Sequence, residues 1–408
     1  MRLPVCAFAL ALLCPLAALA QPAPADPNAP AAAPGVPPAG TPMPPPPPPP
    51  MPPAPVVVAA PPPAPPAPPA KTWKDLLIVD ALVDAYYQVN LTSGDSRTPT
   101  ASPSPVIAVR SFDTNSNAFT LNYTKIGLGV NPEPVGLRID IGYGATGLAV
   151  NGNGNPFLIQ QAYATMAAGM LTLDFGKFMT TAGAEVIEAN KNWNYSRSIL
   201  FFNIPLVHTG VRATLKLSPE LIAQVSIVNG WNGQGFEPDI NAGKTFGVSI
   251  NYTVPNGPNI IATGYFGKEF GSSDTRILGD LVVAHTIGDM GLNLNIDYIT
   301  DKAASIDNWF GLAAMLRKPI NDNLVLALRG EYAQNGGDLT KYKLYEGTVT
   351  AAIPMAGRYE IRVEARGDFS DQMIFNAQPM MISPSGFTLG MPDKKQQFTA
   401  LLAFLAWF

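Results

Sequence analysis

The chain has 408 residues, a formal net charge of −4 and only 14% charged side chains. So weak a charge, with no basic patch, excludes a nucleic-acid-binding face driven by electrostatics. Both cysteines, Cys6 and Cys14, lie within the first twenty residues, which leaves the rest with neither a disulfide framework nor a thiolate metal site.

The first segment, "MRLPVCAFALALLCPLAALAQ", has Arg2, an apolar core, and the small residues Ala18 and Ala20 before Gln21. Residues 1–20 therefore read as a secretory signal peptide with an A-x-A-like cleavage site. A lipoprotein reading through Cys14 is the weaker one, because the preceding Leu13 is bulky. Residues 21–70 are a different material. They hold 25 of the 43 prolines, with Asp26 as the one charge. Such a tract lacks donors and packing groups, so it predicts an extended, disordered linker. At about 3.1 Å per residue, roughly 50 residues span on the order of 150 Å if stiff. Its plain role is a tether or spacer.

From Lys71 to Phe408 the pattern has period two. "GLNLNIDY" alternates Leu292, Leu294, Ile296 and Tyr298 with Asn293, Asn295 and Asp297. "TFGVSINYTV", "VGLRIDIGY", "HTGVRATLKL" and "LVLALRGEY" behave likewise, and no helical period of comparable length appears. Sixteen strands are predicted, near 77–89, 119–129, 135–144, 158–167, 171–178, 209–217, 221–230, 244–254, 258–267, 276–286, 290–300, 308–317, 323–332, 342–353, 357–370 and 396–408. Tight turns at "NPEP" (131–134), "SPE" (218–220), "PNGP" (255–258), "GDM" (288–290), "PIND" (319–322) and "PMAG" (354–357) interleave with longer connections. One rim thus has turns and the other has loops.

After the leader, no run approaches the ~18 apolar residues that a spanning helix needs. An exported, apolar chain of alternating strands with unequal rims predicts an all-β fold: a transmembrane antiparallel barrel of about sixteen strands, with short periplasmic turns and longer extracellular loops. In "YEIRVEARGDF", Tyr359, Ile361, Val363 and Phe369 then face lipid. The other set, Glu360, Arg362, Glu364, Arg366 and Asp368, lines a watery lumen. "QQFTALLAFLAWF" closes the barrel, with Phe404 and Phe408 as its aromatic finish.

The stretch 176–232 resembles β-barrel porin family 2, the OmpL-like group of outer-membrane proteins. The resemblance is carried by the GKF–T–G–E run from Gly176 to Glu185, "NYSRS" at 194–198, "P–VHTGVR" at 205–212 and "VNGW" at 228–231. "VDAYYQVN" at 83–90, and "FTLNYTKIGL" followed by "IDIGYG", fit the same family's first strands. It covers most of 75–408 and leaves out the proline tract. What it implies is a pore in the outer membrane of a Gram-negative bacterium. In classical porins the loop at that place folds into the lumen and narrows it, so residues 179–208 are the candidate constriction, carrying Glu185, Glu188, Lys191 and Arg197. Their carboxylates would face basic wall residues such as Arg212, Arg329, Arg362 and Arg366 across a transverse field. The alternative is a loop at the mouth or between subunits, with Arg197 and the glutamates in local structural pairs. The apolar Ile187, Trp193, Tyr195, Leu200, Phe201 and Phe202 give this loop a means to pack against the wall.

Other chemistry is poorly supported. "GYGATG" (142–147) matches a dinucleotide fingerprint, but "LAVNGNGNP" after it does not read as the helix that fingerprint requires. The only histidines are His208 and His285, and "VHTG" offers a threonine rather than a histidine-activated serine. His208 reads as a hydrogen-bonding residue at a strand start. No cluster has metal-ligand spacing, and no cofactor is called for. The expected function is passive diffusion of small hydrophilic solutes or ions, without enzymatic activity. The alternative is a structural anchor tied to the cell wall through residues 22–70. The partners expected are outer-membrane lipid and the barrel-assembly machinery; assembly into a homotrimer is left open by the sequence.

Overall fold

The computed structural model describes residues 76–92, 109–151, 154–231, 243–269, 275–301, 306–336, 341–375, 381–383, 386–388 and 394–408. The expected leader (1–20) and linker (21–70) lie outside the described residues.

The alternating segments form β1 (Leu77–Asn90), β2 (Ala118–Val130), β3 (Val135–Tyr143), β4 (Phe157–Ala168), β5 (Leu171–Met179), β6 (Val207–Lys216), β7 (Leu221–Val228) and β8 (Thr245–Thr253). They continue as β9 (Asn259–Lys268), β10 (Thr275–Ile287), β11 (Met290–Asp301), β12 (Ile306–Asn321), β13 (Leu324–Asn335), β14 (Tyr342–Met355) and β15 (Tyr359–Ser370). Two short strands, β16 (Met381–Ser383) and β17 (Gly386–Thr388), pair only with each other. β18 (Gln396–Trp407) then pairs with β15 on one side and β1 on the other. The result is a closed antiparallel barrel of sixteen strands with no exposed edge. Each of the sixteen predicted strands has its counterpart within a few residues.

The departures have local causes. β12 outruns its predicted end at 317, through Pro319 to Asn321. The last β11 pair is Gly291 with Arg317, so Pro319 lies beyond β11, where no ladder donor is needed. β14 likewise runs to Met355, and the reversal falls on Ala356 and Gly357, with φ of 50° and 71°. Those two left-handed residues make the tight hairpin turn whose twist matches the flanking strands. The reading of "GYGATGLAVN" as helix-free needs correction. A short helix, α1 (Ala145–Asn151), follows β3, because Ala, Leu and Val there are free of strand partners and Gly144, at φ 136°, redirects the chain. A second short helix, α2 (Ile199–Asn203), lies in the long connection after β5. Among the described residues no helix is long and apolar enough to cross a membrane.

The pleat separates two chemistries. On β15, Arg362, Glu364, Arg366 and Asp368 are buried and Glu360 is half-buried, while Tyr359, Val363 and Phe369 are exposed. On β18, Phe404 is exposed outside, as is Phe408 just past its end, whereas Leu401, Ala403 and Leu405 are buried inside. Exposed aromatics such as Phe119, Tyr143, Phe157, Phe246, Tyr345 and Phe398 sit near the strand ends at the loop rim. That is the outer girdle of a membrane barrel.

Candidate functional site: a loop folded across the lumen

Residues 180–206 leave β5 after Met179, enter the barrel and return at Val207. The chain can run through the interior only if its backbone groups find partners there. The wall supplies them in sequence. The Thr181 carbonyl accepts from Thr263 Oγ1 on β9 (3.2 Å), and the Ala184 amide donates to Asn295 Oδ1 on β11 (3.1 Å). Tyr195 and Ser196 amides both donate to the Glu364 carboxylate of β15, at 2.7 and 3.0 Å. The Ile199 amide, opening α2, donates to Glu331 Oε2 on β13 (2.8 Å). Ser198 caps the same helix, its hydroxyl accepting from the Phe201 amide at 2.9 Å.

Ion pairs reinforce these bonds. Arg329 on β13 meets Glu185 of the loop at 2.9 Å, and also Glu331 (3.0 Å) and Glu346 (3.2 Å) of the wall. Its guanidinium donates to the Ser196 carbonyl as well, at 2.6 Å. Lys125 on β2 meets Glu188 at 2.6 Å while also touching Asp80 and Asp140. Burial alone would push the Glu188 carboxyl up; the ammonium groups of Lys125 and Lys191 outweigh it and hold the carboxyl at about 2. Tyr195 donates its phenol proton to Asp84 on β1 at 2.6 Å. Burial, and then that carboxylate, raise the phenol well above its usual range, so it stays a donor.

The loop's other side is apolar. Ile187, Ile199, Leu200, Phe201 and Ile204 are buried in one cluster with Trp309, Ala313 and Met315 of β12 and Leu344 of β14. Gly311 leaves the room for this contact: a Cβ there would run into Leu200 and Trp309. A second segment, 109–117, also folds inward. Arg110 pairs with Asp113 and with Asp368 (3.4 Å) and donates to Thr399 Oγ1 at 2.8 Å. Phe112 packs edge-on against Phe201 at 5.7 Å between centroids.

The residues singled out from sequence fall into four groups. Glu185, Glu188, Arg329, Glu364 and Arg366 join loop to wall; Arg366 donates to the Arg197 carbonyl at 2.6 Å and pairs with Asp368. Arg362 belongs with them, donating to the carbonyls of Ala189 (3.0 Å) and Asn194 (3.1 Å) and pairing with Glu360. Lys191 stays largely in water beside Glu188 at 3.2 Å. Two expectations need correcting. Arg197 does not project into a passage: it is buried and donates to the loop's own carbonyls of Val186, Ile187 and Tyr195. Arg212 faces no loop carboxylate; Asp174 on neighbouring β5 holds it at 2.8 Å. Phe404 stacks on Tyr359, and Phe408 exchanges backbone hydrogen bonds with Ala81 under the guanidinium of Arg358.

Lys125, Asp84 and the Arg110 segment were missed. Lys125 sits on the polar face of β2, but a bulge opposite Asp84 and Ala85 breaks the alternation there and buries both Asn122 and Tyr123. His208 is an interior residue, stacked on Tyr265 at 4.6 Å, with its ring nitrogens 3.3 Å from the Gly230 carbonyl and the Thr180 hydroxyl.

A closed sixteen-stranded wall, apolar outside and polar inside, with a long loop drawn into its lumen, defines an outer-membrane porin. The chain belongs to the family described as "Putative beta-barrel porin-2, OmpL-like", which it matches over residues 77–408. It is a porin channel. Solved structures share the fold at low identity. OprB of Pseudomonas putida, at high pH, aligns with a TM-score of 0.54 and 10% identity, covering 82% of this chain and 95% of that one. An anion-selective porin from Comamonas acidovorans gives 0.53 and 8%, covering 81% and 99%. The trimer form of OmpT, an outer membrane protein of Vibrio cholerae, gives 0.51 and 9%, again covering 81% and 99%. No curated protein matches the chain.

Proposed function

We propose that small hydrophilic solutes and ions diffuse through the water left between the inward loop and the wall of β3–β8, with the loop setting the size limit. The observation that carries this is the one-sided anchoring of 180–206. Beyond its roots, the hydrogen-bonding and ionic wall partners named for it lie on β1, β2, β9, β11 and β13–β15, and the inward Thr214, Gln224 and Asn251 of β6–β8 are half-buried. Lys191 faces the constriction in this reading, while Glu185 and Glu188 lie buried behind it and hold the loop to the wall. No catalytic residue and no cofactor take part.

Export through residues 1–20, insertion by the barrel-assembly machinery and a lipid-embedded homotrimer complete the reading. OmpT's trimer form is the precedent for the last of these. The test is swelling of liposomes carrying the full-length protein in sugars of increasing size. Swelling that stops at a definite solute size supports the channel. No swelling with any solute, from protein shown to be folded, would favour the second reading. In that reading the inward loop plugs the barrel, and the chain serves as an anchor reaching the cell wall through 22–70.

A further inference from the structure

Two acids of the barrel wall, unpaired among the described residues, are sealed away from the proposed passage. Asp280 and Asp297 face each other across β10 and β11, both buried, at the root of the inward loop. Asn295 Nδ2 donates to both, at 2.7 and 3.0 Å, and among the described residues no basic side chain pairs with either.

On the open side the ion pairs are turned the other way. Lys191 is 57% exposed over a Glu188 that is 5% exposed. Arg138 is 17% exposed against 1% for Asp140, and Arg212 16% against 8% for Asp174. In each pair the carboxylate is buried beneath and the cation points to water. Asp80 is the exception at 33%, and it is held between Lys125 (3.3 Å) and Arg138. The other inward side chains of β6–β9 include the neutral Thr214, Gln224, Ser226, Ser249 and Thr263. A solute passing there meets guanidinium and ammonium groups first, and low-dielectric walls concentrate their field in the water between.

We infer that the passage prefers small anions, of the carboxylate and phosphate class, over cations of the same size. This rests on the diffusion reading above. The test is the reversal potential of single channels of the full-length protein in a potassium chloride gradient, for the native chain and for Lys191→Gln and Lys191→Glu. The native chain is expected to pass more chloride than potassium. Each unit of charge removed should lower that ratio by roughly twofold, the size of an aqueous Coulomb interaction over several ångströms. A native preference for potassium, or a ratio indifferent to both substitutions, overturns the inference while leaving a channel. Absence of any current from folded protein overturns the diffusion reading, and the inference with it.

Discussion

Arg329 and Glu185 meet at 2.9 Å with both side chains out of water, one rooted in the barrel wall and the other in the loop that crosses it. The pair does not stand alone, since Glu331 and Glu346 share the same guanidinium. Removing the arginine would leave the buried Glu185 and Glu331 without their cation, and Glu346 with Arg366 alone, at 3.5 Å. Breaking one side of a buried pair typically costs about 3–5 kcal/mol, because the remaining charge stays desolvated. Arg329→Met should therefore lower the unfolding midpoint of the detergent-solubilised protein clearly and open residues 180–206 to protease. Lys318→Met, which removes an exposed pair with Asp289 in a rim turn, should change neither.

The loop's second ionic anchor makes a prediction about acid. Glu188 sits at about 2 against an ordinary 4.5, so the folded carboxyl is the stronger acid. A depressed carboxylate contributes its stabilisation in full above the unfolded value and loses it as pH falls through the folded one. A shift of this size corresponds to roughly 3 kcal/mol. Protease resistance of the loop should hold from neutral pH to about 4.5 and fall away toward 2. In Glu188→Gln the resistance should be lower at neutral pH and vary less across that window; an unchanged profile would remove Glu188 from the anchor.

The apolar side of the loop can be tested separately. Leu200 is fully buried against β12, and truncating a buried leucine to alanine costs about 2–5 kcal/mol. Gly311→Ala acts on the same contact from the wall, placing a methyl where Leu200 and Trp309 already lie. Both variants should give single-channel currents that are larger or noisier than those of the native chain. Quiet, native-sized currents from both would mean that the polar bonds alone position the loop.

How much of this was legible in the sequence follows from where the signals sit. The strands were legible because one face must meet lipid and the other water, which forces alternation on every strand with both neighbours in place. The reach of β12 past Pro319 was hidden because proline reads as a stop, and only the earlier end of β11 makes it harmless. Glu185 and Glu188 were visible as charges in an apolar loop. Their partners were not, since Arg329 and Lys125 lie far away in sequence and only the closed register brings them near. Arg197 misled for the opposite reason: a charged residue in a lumenal loop was expected to face water, and the loop's own carbonyls claim it.

The outer face makes its own prediction. Val363 points to lipid from the middle of β15, opposite Leu402 of β18 and Ala351 of β14. An arginine there must bring its charge into hydrocarbon, at a cost of about 2–4 kcal/mol near the midplane. Val363→Arg should show that loss when the protein unfolds from lipid vesicles. It should recover most of it in detergent, where water reaches the wall more easily.

On the diffusion reading proposed above, a loop bound mainly to one half of a cylinder would leave an opening shaped like a crescent. The thinnest dimension of a solute, rather than its mass, governs entry through such a slit. A flat ring and a compact sphere of equal volume would then be sorted apart, and the curvature of the free wall would set how wide a ring can turn.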